Sequence, residues 1–132
     1  MREALVLAKQ AAERDEAPIG CVIVRDGKII GRGGNLREGA RDALAHAEIL
    51  AIAEACATLG GWRLPGCELY VTLEPCPMCA GAIINARIEA VYFGAYDPKA
   101  GSCGSVTDLF ALPYNHKPMC QELADMKLED LN

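Results

Sequence analysis

The segments of this chain with strand composition are apolar without interruption, and this restricts the fold more than any other feature. They are Cys21-Val22-Ile23-Val24, Leu69-Tyr70-Val71-Thr72-Leu73 and Ala90-Val91-Tyr92-Phe93. A strand wetted on one side alternates apolar with polar residues, whereas a continuous run belongs to a sheet covered on both faces. Helices to cover it are present. Residues 3 to 14 place Ala4, Leu5, Ala8, Ala11 and Ala12 at helical spacing, ending before Pro18. Residues 45 to 58 carry the stripe Ile49, Ile52, Ala53 and Cys56, stopped by Gly60-Gly61. Cys76 to Ala86 is predicted as another helix, with Pro77 in the first turn, where a missing N–H does no harm. Lys28-Ile29-Ile30-Gly31 follows Asp26-Gly27, a dipeptide that readily takes the positive φ angles of a tight hairpin. These readings predict a three-layer α/β/α domain on a mixed sheet. Further on, a Gly-containing loop is expected over Asp97 to Ser105, a short helix over Val106 to Leu112 and a terminal helix over 121 to 131.

With 132 residues, 52% of them apolar and 23% charged, the chain is expected to form one domain over 1–132. No stretch approaches the roughly 20 apolar residues of a membrane helix. The start, Met1-Arg2-Glu3-Ala4-Leu5, carries an acid where a secretion signal would be basic and then apolar. A soluble, cytoplasmic protein is the expectation. The seven cysteines, at 21, 56, 67, 76, 79, 103 and 120, are an odd set scattered through apolar segments, which suits a reducing compartment better than a disulfide framework. The net charge of −5 would repel a phosphate backbone, so a nucleic-acid partner would need a local basic surface. Residues 121–132 form an acidic tail, with Glu122, Asp125, Glu129 and Asp130 against Lys127.

Cys76-Pro77-Met78-Cys79 sets two thiols three residues apart at a helix start, where exposed N–H groups and the helix dipole favour thiolates. Such a pair serves metals and also redox centres. His46 opens the second helix in His46-Ala47-Glu48. Alone, a histidine there is commonly a satisfied structural residue, and an isolated glutamate a solvated helix-start charge. Residues two apart on a regular helix point about 200° away from each other, so His46 and Glu48 can face one site only if His46 lies at the helix entrance. One His and two Cys would hold zinc with a fourth position left for water, and that opening separates catalytic from structural zinc. Glu48 would then be placed to move a proton.

Together, His46-x-Glu48 and Pro75-Cys76-x-x-Cys79 match a known zinc-deaminase signature. The chain resembles the cytidine and deoxycytidylate deaminase superfamily and, within it, the bacterial tRNA adenosine deaminases. The closer resemblance lies in Gly31-Arg32-Gly33-Gly34-Asn35, Ala45 through Ile49, Tyr70 through Ile83, Phe93-Gly94-Ala95 and Gly101 through Ser105. It implies a cytidine-deaminase-like fold with a five-stranded mixed sheet. It also implies one Zn2+ per chain on His46, Cys76 and Cys79, Glu48 as general acid and base, and a homodimer with the active site near its interface. The implied substrate is the wobble adenosine of a tRNA anticodon stem-loop, converted to inosine. Asn35 matches a position that hydrogen-bonds the purine, and the backbone of Ala47 one that touches the base. Asp97 and Lys99 match a loop near ribose and phosphates, and Asn115, His116 and Lys117 another loop near the RNA. Asn35 could equally be a turn residue after two glycines.

The chain departs from that family at its end, where an acidic segment stands in place of a longer basic helix; RNA contacts would then fall to Arg2, Lys9, Arg14, Arg63, Arg87, Lys99 and Lys117. Two other functions remain open. One is deamination of a free base or nucleotide, such as guanine, cytosine or deoxycytidylate. The other is a structural zinc module closed by Cys103 or His116.

Overall fold

The computed structural model describes residues 1–123. The elements are α1 (Arg2–Glu13), β1 (Gly20–Arg25), β2 (Lys28–Gly34), α2 (Arg37–Ala40), α3 (Ala47–Leu59), β3 (Cys67–Leu73), α4 (Pro77–Asn85), β4 (Ala90–Ala95), a 3-10 turn (Leu109–Ala111) and β5 (Met119–Glu122). The five strands form one sheet in the order β2-β1-β3-β4-β5. β1 pairs antiparallel with both β2 and β3, while β3, β4 and β5 run parallel. The mixed five-stranded sheet is as expected. Asp26 and Gly27 take φ angles of 51° and 76°, as the tight hairpin turn requires.

The glycines of the first two strands show why helices cover both faces. On β2, a Cβ at Gly33 would stand 2.2 Å from the Ala47 carbonyl oxygen, and one at Gly31 would stand 2.3 Å from that of Ala51. Both face α3. A Cβ at the adjacent Gly34 would point instead at α1, 3.2 Å from the Leu7 carbonyl oxygen. Because neighbouring residues of a strand project to opposite faces, α1 and α3 lie on opposite sides of the sheet. The alanine stripe of α1, with Ala4, Ala8 and Ala11 buried, lets that helix approach as closely as the glycines permit. α4 packs beside α3 on the second face. Between the layers lie Ile23, Leu69, Val71, Ile83, Val91 and Phe93, all buried.

Two expectations are corrected, and one short element was not expected. Val106 to Leu112 yields only the 3-10 turn, because the N–H groups of Val106 and Thr107 donate back to the Gly101 carbonyl and Cys103 pairs with Asp108 across the loop. Gln121 and Glu122, expected to begin a helix, belong to β5, paired with Tyr92 and Phe93; the remainder of that helix lies outside the described residues. The short turn α2, which has no apolar periodicity, is held from outside: the Glu16 carboxylate accepts the N–H groups of Glu38 and Gly39 at 3.0 and 2.7 Å. No helix among the described residues is long and apolar enough to cross a membrane.

The contact at Gly33 gives a direct test. Gly33→Ala should lower unfolding stability by about 1–3 kcal/mol, the usual cost of overpacking a close contact. It should also weaken metal retention, since Ala47 lies between His46 and Glu48. Denaturant melts and metal analysis of the purified variant would check both.

Candidate active site

The site lies at the carboxyl ends of β3 and β4, the edge where open α/β sheets bind ligands. Two helices start there. His46 precedes α3 in an extended conformation (φ −75°, ψ 153°), and Cys76 precedes α4 in the same way (φ −76°, ψ 174°), with Pro77 in the first turn. His46 therefore stands outside regular helical geometry and shares one cleft with Glu48. Cys79, one turn into α4, is buried.

The Nδ1 atom of His46 lies 3.6 Å from the Sγ atoms of both Cys76 and Cys79, and the three donors fall within 4.8 Å of one another. Zinc bonds of about 2.3 Å to sulfur and 2.0–2.1 Å to nitrogen, at tetrahedral angles, give a sulfur-to-nitrogen edge of about 3.6 Å. The donor set fits zinc. Among the described residues no fourth metal-binding side chain joins the group. Cys103 interacts with Cys120, outside the donor group, and the His116 Nε2 is 2.7 Å from the Ile88 carbonyl oxygen. Neither residue closes the tetrahedron.

The electrostatics favour a cation at this point. A hydrogen bond from the Cys79 thiol, opposed by burial and helped by the N–H groups of Cys79 and Met78, brings the Cys76 thiol down to about 5. Cys79 moves the other way, because its proton is held by Cys76 and it is buried. Glu48 is 4% exposed; burial pushes its carboxyl up to about 7, with the charge of Cys76 adding to the rise. Cys79 acts on it in the other direction and lowers it, which puts an ionisable acid beside the candidate donors.

The cleft has a volume of 220 Å³ and is lined by Ile19, Asn35, Arg37, Leu73, Glu74, Asp97 and Ala100 besides His46, Glu48 and Cys76. Asn35 is 3% exposed and borders this cleft. Ala47 is wholly buried beneath Gly33. Lys99 lies on the exposed loop beside the cleft, its N–H donating to Asp97 Oδ1 at 3.0 Å. Asn115 and His116 are not brought to the cleft: they precede β5, at the opposite end of the parallel strands. Arg37 and Glu74 line the cleft although the sequence reading did not single them out. For Glu74 the available signal was a charged residue ending an apolar strand.

A fold and a donor set of this kind define a zinc-binding deaminase domain. Residues 1–95 match the family model described as the cytidine and deoxycytidylate deaminase zinc-binding region, and the chain belongs to that family. It is 54% identical over 118 residues to a tRNA-specific adenosine deaminase of Bacillus subtilis (strain 168), covering 89% of this chain and 73% of that protein. A structure solved in studies of A-to-I editing by tRNA:A34 deaminases superposes with a TM-score of 0.89 at 52% identity, covering 92% of this chain and 95% of that one. A guanine deaminase structure from Bacillus subtilis gives a TM-score of 0.72 at 39% identity, covering 91% and 81%.

Cobalt substitution tests the donor set. The wild-type protein and Cys103→Ser should both give thiolate-to-cobalt absorption of a tetrahedral site with two sulfurs, and Cys79→Ala should lose most of its bound metal. A third sulfur that disappears in Cys103→Ser would contradict the assignment.

Proposed function

We propose that the chain is a hydrolase that deaminates adenosine to inosine, acting at the wobble position of a tRNA anticodon. The observation that supports this most is one small cleft that brings the buried Glu48 and Asn35 to His46 and Cys76, which with Cys79 form a compact group of metal donors. At 220 Å³ the cleft is smaller than the roughly 300–1,000 Å³ of drug-sized ligand sites. It suits one base, with ribose and phosphates left outside.

Zinc on His46, Cys76 and Cys79, one per chain, would supply a water whose pKa is lowered from 15.7 towards about 7. Glu48 would take a proton from the water as its oxygen bonds to C6 and pass that proton to N1, and would then carry the proton of the new C6 hydroxyl to the amine, so that the C6–N bond breaks and ammonia leaves. A carboxyl held near neutrality by burial can both accept and donate. Asn35 orients the ring through an amide able to pair with the donor and acceptor edges of adenine. Ala47 flanks the base, and Asp97 and Lys99 face the sugar and phosphates.

The 39% identity to a guanine deaminase and the net charge of −5 favour a second reading, deamination of a free base. Ammonia release from guanine without inosine formation in an anticodon stem-loop would select it. Under the first reading, wild-type protein forms inosine in the stem-loop. Glu48→Ala should then reduce turnover by at least roughly 10²–10⁴-fold, the usual worth of a general acid–base, while keeping one zinc per chain.

The protein is further proposed to be cytoplasmic and to act as a homodimer. An open apolar depression on α3 and α4, including Ile49, Ile52, Ala53 and Ala82, supports the dimer. The same α3 begins at the site, so a second copy seated there would lie close to the cleft. Light scattering should give twice the chain mass, and Ile52→Asp should shift it to the monomer.

A further inference from the structure

Glu74 is 2% exposed, and its carboxylate collects the backbone of one loop. Oε1 accepts the Asp97 N–H at 3.0 Å and the Ser105 hydroxyl; Oε2 accepts the N–H groups of Cys103 and Ser105 at 2.8 and 3.1 Å. No Lys, Arg or His nitrogen comes within ion-pair distance of it among the described residues. A buried carboxylate is expensive unless its hydrogen bonds are satisfied, and here all the compensation comes from residues 97 to 105. The loop is built to receive it. A Cβ at Gly101 would lie 2.3 Å from the Glu74 carboxyl carbon, so only glycine lets the loop close over this side chain. The main chain continues the seam, with Ser102 N–H donating to the Pro75 carbonyl at 2.9 Å and Glu74 N–H to that of Ala95 at 2.8 Å.

Glu74 is also part of the cleft wall, as are Asp97 and Ala100 of the same loop. Two residues later the chain reaches Cys76, so one short segment carries both a metal donor and the anchor of the facing loop. We propose that Glu74 is a positioning residue: it fixes the 97–105 loop as the outer wall of the cleft and thereby sets how tightly the substrate is held. This rests on the reading of the cleft as the substrate site. The chemistry requires an acid at this position. Four donors converge on two oxygens, and an amide of the same shape would turn its NH2 group against donors.

Glu74→Gln and Ser105→Ala test the proposal on the zinc-loaded protein, with amide hydrogen exchange over residues 97–105 and steady-state kinetics on whichever substrate the wild-type protein turns over, stem-loop or guanine. A wild-type protein active only on guanine would reject the tRNA reading and leave the Glu74 test intact. The expected result is faster exchange in the loop and a KM raised by at least roughly tenfold in Glu74→Gln, the size of one or two lost charge-assisted hydrogen bonds. The change in kcat should be smaller, and zinc content unchanged. Ser105→Ala should shift both readouts in the same direction by less, and it carries the test alone if Glu74→Gln does not fold. Unchanged exchange, or a loss confined to kcat or zinc with KM unaltered, would overturn the assignment.

Discussion

Two helix N-termini aimed at one point are the constraint on which the rest of this structure depends. Each carries roughly half a positive charge from its unpaired N–H groups. Their convergence makes a place where the Cys76 thiolate and developing negative charge are favoured. It also resolves a geometric conflict. His46 and Glu48 are two residues apart and would diverge on a regular helix, but with His46 extended at the entrance and Glu48 in the first turn they reach one cleft. Cys76 and Cys79 use the same device on α4, where Pro77 costs no hydrogen bond.

Holding two helix starts together requires close packing behind them. Gly33 and Gly31 allow the backbone of α3 to rest on β2, and the buried alanines of the helix complete the contact. The glycines of β2 therefore serve the catalytic geometry from the opposite side of the helix. β3 and β4 do the corresponding work for α4, which crosses between two parallel strands and so must start at their carboxyl ends. The metal-binding group and the cleft share an edge for that reason.

Much of this was readable from local pattern. Uninterrupted apolar runs identified the central strands and Asp26-Gly27 the hairpin, because in each case the determining physics acts within a few residues, and the candidate donors His46, Cys76 and Cys79, read from two separate motifs, are brought together by the fold. The elements that escaped depend on distant partners. Met119 to Glu122 has no apolar run and becomes a strand only because β4 offers an open backbone edge; α2 exists through the remote carboxylate of Glu16. Site residues divide in the same way. Asn35 and Asp97 follow strands that end at the catalytic edge, whereas Asn115 and His116 precede β5, and its parallel register sends them to the other end of the sheet. Glu74 looked like one more residue of a motif until the loop gathered around it was visible.

The charge balance then reads differently. A net charge of −5 looks unfavourable for a polyanionic substrate, but a sum over the chain does not say where its charges stand. At physiological ionic strength, fields between exposed charges fade over about 8 Å. What a phosphate meets at the cleft is set by its immediate lining. There the two helix starts, the exposed Arg37 on the rim and Lys99 on the adjoining loop stand against Asp97. Glu48 and Glu74 are buried, and Glu74 is compensated by its own loop. The bulk charge therefore bears on long-range attraction and the rate of encounter, while affinity at the mouth of the cleft is decided by a few groups whose sign differs from that of the chain as a whole.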